Sequence, residues 1–171
     1  MSECELIKRA EREAVSLVNK LKELSAPIAL AESCTAGLIS GLLANVPGSS
    51  KVLWGSFVCY AKEAKVRMLD LDENMLASYG LVSRETACAM AQGALQKSGA
   101  VIAASVTGLA GPGGDGSCTP VGTVWAAVAG KETETAVMEF HFSGSRNEIR
   151  LSAAIAAMEM VDRSVKALDI N

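Results

Sequence analysis

Ile28-Ala29-Leu30-Ala31-Glu32-Ser33-Cys34-Thr35-Ala36-Gly37 is the stretch on which the fold turns. Its first four residues are all apolar, the pattern of a short strand covered on both faces. From Ser33 to Asn45 the residues are mostly small, and Leu38, Ile39, Leu42 and Leu43 recur at helical spacing, so a helix is expected over 33–45. A buried strand feeding directly into a helix is the repeating unit of an α/β protein.

Outward from this stretch the alternation continues. Lys51 to Tyr60 reads as a strand after the Pro47-Gly48 turn, and Ala61 to Leu69 as a helix. Asp72 is placed to cap a short helix ending at Tyr79, and Ser83 a longer one over Arg84 to Lys97. Val101 to Val106 is a second buried strand, and Val121 to Ala129 with Thr135 to Phe142 reads as a hairpin about Gly130-Lys131. Long amphipathic helices close both ends. Leu6, Ile7, Ala10, Ala14, Leu17, Val18, Leu21 and Leu24 line the first, which stops before Pro27. Ile149, Leu151, Ile155, Met158, Val161, Val165 and Leu168 line the last, which opens on a Ser145-x-x-Glu148 capping box. The expected fold is α/β: a layered α/β/α sandwich with a mixed sheet flanked by helices, part of it antiparallel because of the hairpin. No repeat or linker interrupts residues 1–171, so one domain is expected. The terminal helices suit the core and also a subunit contact, and a homo-oligomer is the expected state.

Composition removes several function classes. The 171 residues are 50% hydrophobic and 20% charged, with a formal net charge of −3 and no run of Lys or Arg longer than two. A chain that grips a phosphate backbone is basic at least in patches, so no nucleic-acid partner is expected. The single histidine, His141, rules out sites with two His ligands. Neither a metal nor a cofactor is expected. Cys4, Cys34, Cys59, Cys88 and Cys118 are widely spaced with no CxxC pair, which suits free thiols in a reducing compartment. No apolar run reaches the ~18 residues of a membrane helix, and the acidic start Met1-Ser2-Glu3-Cys4-Glu5 lacks a signal peptide's basic region. A cytoplasmic protein with no membrane partner is the expectation.

Four segments carry chemistry. Ser33 stands where a strand ends and a helix begins, at the strand's carboxyl end, where ligands bind in open α/β sheets. Helix N–H groups there stabilise developing negative charge, so Ser33 is a candidate nucleophile; a plain helix cap by Ser33 or Thr35 is the alternative. Tyr60-Ala-Lys-Glu-Ala-Lys65 offers Lys65 as a base and Tyr60 as a relay, because a lysine with a lowered pKa activates serine without histidine. Lys62 and Arg67 are candidates by type, and a solvated surface lysine is the plainer role. Gly108-Leu-Ala-Gly111-Pro-Gly113-Gly114-Asp-Gly116 follows a buried strand. Its glycines let backbone N–H groups approach a ligand, although the spacing is that of neither a P-loop nor a dinucleotide fingerprint. Arg146, in Phe142-Ser-Gly-Ser-Arg146, sits at a helix N-terminus, where a cation is unfavourable unless an anion joins it.

These blocks occur together with Glu32-Ser33-Cys34-Thr35, Gly48-Ser49-Ser50, Gly80-Leu-Val-Ser83, Gly108-Leu-Ala-Gly-Pro112 and Pro120-Val-Gly-Thr-Val124, in chain order. The combination resembles the C-terminal domain of the competence/damage-inducible CinA proteins, the nicotinamide-nucleotide amidohydrolase family, over about Leu6 to Leu168. A stand-alone form without the fused N-terminal domain is expected. The resemblance implies hydrolysis of the carboxamide of nicotinamide mononucleotide to nicotinate mononucleotide and ammonia. It places a serine nucleophile, lysine and tyrosine on Ser33, Lys65 and Tyr60, with Ser50 as a supporting hydroxyl. Backbone N–H groups at the start of the 35–45 helix would hold the oxyanion. Thr35, Gly108, Gly111, Gly113, Gly114 and Arg146 would bind substrate, the glycine loop and Arg146 taking its phosphate. Three departures stand out: Ala36 where many members have glycine, Cys59 where threonine is common, and Ala61-Lys62 where Ser-Asn is common. The competing readings are a nucleotide-binding module of the same family without hydrolysis, and an amidase acting on another amide.

Overall fold

The computed structural model describes residues 2–131 and 133–167. Its elements run α1 (Glu3–Glu23), β1 (Ile28–Glu32), α2 (Leu38–Ala44), β2 (Leu53–Val58), α3 (Lys62–Leu69), α4 (Glu73–Tyr79), α5 (Arg84–Ser98), β3 (Ile102–Gly108), β4 (Thr123–Gly130), β5 (Thr133–His141) and α6 (Arg146–Ala167). Leu168, assigned to the last helix by its periodicity, lies outside the described residues. Among the described residues no helix is long and apolar enough to cross a membrane.

The strands form one sheet in the order β2-β1-β3-β4-β5. β1 is parallel to both β2 and β3, while β3–β4 and β4–β5 are antiparallel. The sheet is therefore mixed, and the hairpin supplies its antiparallel half. All five residues of β1 are buried, as an apolar run covered on both faces requires. Its two faces differ in size. Ile28 and Leu30 join Ile102, Val106, Val124 and Val128 in a core with α1, α2 and α6. Ala29 and Ala31 join Ala103 in a second core with Leu69, Leu76, Met90 and Ala94 from α3, α4 and α5. The small face lets α5 ride close. Gly93 is part of this fit, because a Cβ there would stand 2.5 Å from the Leu69 carbonyl oxygen. Each fully buried Leu or Ile contributes about 1.5–3 kcal/mol, and the terminal helices supply Leu17, Leu21, Ile149 and Ile155.

The local stop and start signals act as the sequence suggests. Asp72 Oδ1 accepts from Asn74 N and Met75 N at 2.6 and 3.2 Å, and Ser83 Oγ accepts from Thr86 N at 3.1 Å. Ser145 and Glu148 form the capping box, at 2.7 and 3.3 Å. All five cysteines are free thiols.

The connectivity fixes where a ligand can enter. From β1 the chain crosses by α2 to β2 on one side, then by α3–α5 to β3 on the other. The strand order reverses at β1, and a crevice opens at such a switch point beyond the strands' carboxyl ends. Ser33 is the first residue past β1.

Candidate active site

The turn after β1 is built by backbone rather than by helix. Ser33 N donates to Val106 O at 2.9 Å, carrying the β1–β3 pairing one residue further, and Ala36 N turns back to Ser33 O at 3.0 Å. Ala36 (φ 51°) and Gly37 (φ 88°) are both left-handed. Two such residues cannot lie on a right-handed helix, so α2 starts at Leu38 and not within 33–35 as its periodicity suggests. Ala36 stands at a left-handed position, which a glycine would adopt without the Cβ penalty.

This shift corrects the expected oxyanion site. The N-terminus of α2 is closed by Glu32, a fully buried side chain whose Oε2 and Oε1 accept from Ile39 N and Ser40 N, each at 3.0 Å. Ser56 Oγ donates to the same Oε1 at 3.1 Å. The helix-start N–H groups are therefore spoken for. Beside Ser33, the N–H groups of Cys34 and Thr35 donate to no other described residue.

Lys65 lies in the first helical turn of α3 and is only 1% exposed, against the solvated surface role open to it on sequence alone. Its Nζ sits 2.8 Å from Ser33 Oγ, 2.8 Å from Cys59 O and 3.3 Å from Tyr60 O. Burial pushes its ammonium below the ordinary lysine value, and the neighbouring Cys59 and Cys34 thiols oppose this more weakly. The same burial raises both thiols, Cys34 to about 11, which keeps them protonated and unreactive. Two carbonyls for two amine N–H groups leave the lone pair of a neutral Lys65 facing the serine hydroxyl. Such an arrangement can remove the Ser33 proton.

Ser33, Tyr60, Lys65, Gly108, Gly111, Gly113 and Arg146 line one open cavity of about 220 Å³, together with Asp115 and Thr107. Tyr60 is two residues past β2 and more than half exposed. Its backbone carbonyl meets Lys65, but its hydroxyl accepts from Arg146 Nη2 at 2.8 Å and makes no bond to Ser33 or Lys65. Arg146 Nη1 donates to Gly111 O at 2.6 Å, so the guanidinium ties the glycine loop to Tyr60 across the mouth. Three of its five N–H donors remain for a ligand.

Other sequence candidates lie elsewhere. Ser50 is exposed in a 3₁₀ turn (Ser49–Lys51) before β2, at the amino end of the sheet. Five residues of β1 at ~3.3 Å each separate it from Ser33 by roughly 16 Å, so it cannot support that hydroxyl. Thr35 is fully buried with an unpartnered hydroxyl; it neither caps α2 nor lines the cavity. Gly114 is exposed in the loop without lining the cavity. Lys62 pairs with Glu73 at 3.3 Å on the surface and is not a second cation beside the base. Sequence reasoning missed Asp115, whose Oδ1 accepts from Ser117 N and Oγ at 3.0 and 2.6 Å, and Arg150, which donates to Cys34 O and Thr35 O. A second arginine one turn after Arg146, again near a helix N-terminus, was the available signal for Arg150.

The model of the CinA C-terminal domain matches residues 10–165. The chain belongs to the CinA C-terminal domain family. Relatives include CinA-like proteins of Geobacter metallireducens, 44% identical over 83% of this chain and 34% of that protein, and of Acidobacterium capsulatum, 44% identical over 84% and 34%. The chain thus spans about a third of the length of the curated relatives it matches. Among solved structures, the competence/damage inducible protein CihA from Agrobacterium tumefaciens is 38% identical, with a TM-score of 0.88 over 92% of this chain and 96% of that one. The competence damage-inducible protein A from Klebsiella pneumoniae subsp. pneumoniae has a TM-score of 0.90 at 26% identity, over 94% and 99%. The CinA fold is therefore the fold of this chain.

Proposed function

We propose that this CinA domain is an amidohydrolase that cleaves the carboxamide of nicotinamide mononucleotide, releasing ammonia and nicotinate mononucleotide. The observation that carries the reading is the buried Lys65 Nζ at 2.8 Å from Ser33 Oγ, in a cavity at the β1 switch point. Neutral Lys65 takes the serine proton as Ser33 Oγ attacks the amide carbon. The new ammonium donates to Cys59 O, Tyr60 O and the serine oxygen, for which acceptors are already in place. The oxyanion meets the N–H group of Cys34, the cavity-lining residue next to Ser33. As the C–N bond breaks, Lys65 returns its proton to the leaving nitrogen, with the Tyr60 hydroxyl free to donate because its oxygen already accepts from Arg146. Water, activated by the same amine, then cleaves the acyl-serine.

The substrate assignment follows the family and the polarity of the mouth. Arg146 and the Gly108–Gly116 loop suit a phosphate, through charge-assisted donors and close backbone. The Asp115 carboxyl group suits ribose hydroxyls or the pyridinium cation. Ammonia release from nicotinamide mononucleotide, its riboside and a panel of amino-acid amides tests the reading. Release from the nucleotide well above the others is expected. Release from a different amide alone would replace the substrate, and none from any amide would reduce the domain to a binding module.

A further inference from the structure

The turn carrying Ser33 is held from α6 by a residue that does not line the cavity. Arg150 Nε donates to Cys34 O at 3.1 Å and Nη2 to Thr35 O at 2.7 Å, and no carboxylate pairs with this guanidinium among the described residues. Two consecutive carbonyls of the nucleophile turn are its hydrogen-bond partners.

One of those carbonyls heads a series of peptide units that ends at the N–H of Cys34, a cavity-lining residue. The Cys34 carbonyl shares its peptide with the Thr35 N–H. The Thr35 carbonyl shares its peptide with the Ala36 N–H, which donates to Ser33 O at 3.0 Å. The Ser33 carbonyl in turn shares its peptide with the Cys34 N–H. The bond to the Cys34 carbonyl holds the Cys34–Thr35 peptide in place, with Thr35 itself buried outside the cavity. The chain to the site runs Arg150, Thr35–Ala36 peptide, Ser33–Cys34 peptide, Cys34 N–H. Amide resonance couples the C=O and N–H of each unit, and hydrogen bonds in series polarise one another. A cation at the head of this chain makes the Cys34 N–H a stronger donor and fixes its direction.

We infer that Arg150 is a positioning residue for the oxyanion site, acting through the Thr35–Ala36 and Ser33–Cys34 peptides on the Cys34 N–H and so on charge that develops at the carbon attacked by Ser33. This rests on Ser33 acting as the nucleophile, and deepens that reading. Oxyanion donors act on the transition state more than on the bound substrate, so Arg150 contributes to the bond-making step and little to ground-state binding.

The test uses Arg150→Lys, Arg150→Met and Arg150→Ala in the full chain, with thermal unfolding of each recorded. Covalent labelling of Ser33 by a fluorophosphonate, followed by intact mass and peptide mapping, reads the step independently of the amide substrate. Labelling and kcat are expected to fall about tenfold or more in Arg150→Met, with an intermediate loss in Arg150→Lys, which keeps one donor of the pair. KM and the pH midpoint of labelling, which reports Lys65, should stay within twofold. Millimolar guanidinium should restore part of the rate in Arg150→Ala and none in wild type. A variant that labels at the wild-type rate would overturn the inference. So would a loss accompanied by a shifted pH midpoint without guanidinium rescue, since the turn would then have moved as a whole. If wild type labels at Ser33 but releases no ammonia from any amide, the substrate reading fails while the Arg150 comparison stands. If wild type does not label at Ser33, the nucleophile and the role given to Arg150 fall together.

Discussion

Replacing Lys65 separates catalysis from stability, because one buried group serves both. Lys65→Met keeps the volume of the side chain and removes the amine; Lys65→Arg keeps a cation that cannot serve as a base, its pKa lying above ~12. Loss of a general base costs about 10²–10⁴-fold in rate, and both variants should fall in that range. Their stabilities should differ from wild type in a pH-dependent way. Lys65→Met strips the donor from Cys59 O and Tyr60 O, and an orphaned buried acceptor costs about 1–3 kcal/mol. Against this, wild type carries the penalty of a buried ammonium. Because the folded amine titrates below its unfolded value, the unfolded chain holds more protons between the two values, and stability rises with pH across that window. Below the folded pKa the ammonium penalty is present in full. Wild type should therefore gain on Lys65→Met as pH rises from the lowered value toward the ordinary lysine value. Taking the difference between the two proteins largely cancels the opposite trend of the raised Cys34 and Cys59 thiols, which favour the unfolded state at high pH. Chemical denaturation at several pH values measures this difference, and ammonia release measures kcat/KM over the same range. Wild-type kcat/KM should rise with pH and level off below the ordinary lysine value. Full activity in Lys65→Arg, or a flat wild-type profile with chemistry limiting, would refute the base assignment.

Arg146→Ala should raise KM for the nucleotide about ten- to a hundred-fold, the value of a charge-assisted contact, while both nucleotide and riboside share a smaller fall in kcat from the released Tyr60 hydroxyl; ammonia release from the two substrates separates the KM effect from the shared one. Ser50→Ala should leave kcat/KM unchanged, because the sheet separates it from Ser33. Ala36→Gly should stabilise the fold by up to about 1 kcal/mol in urea denaturation, since glycine adopts the left-handed backbone without steric cost.

What the sequence disclosed follows from how local each feature is. The caps at Asp72, Ser83 and Ser145 depend on residues within three positions and were legible, as was the all-apolar run of β1. The late start of α2 was not, because its N-terminus is closed by Glu32, seven and eight residues back, rather than by a neighbouring cap. Ser50 looked plausible because sequence order does not say which end of the sheet a turn occupies. Lys65 could be singled out from Lys62 only by the family resemblance, since Lys-Glu-Ala-Lys-Val-Arg shows no apolar stripe that marks one lysine as buried. Arg150 was hidden within a long amphipathic helix; its partners are backbone carbonyls more than a hundred residues away.

The most direct test of the account is rapid-quench mass spectrometry of the protein turning over nicotinamide mononucleotide, with peptide mapping of any adduct. The account predicts a nicotinate-mononucleotide acyl group on Ser33, absent in Ser33→Ala, which also releases no ammonia while unfolding within about 1–3 kcal/mol of wild type, the cost of leaving a buried Lys65 donor without its serine partner. Undiminished ammonia release by Ser33→Ala, or an adduct mapped to another residue, would contradict it.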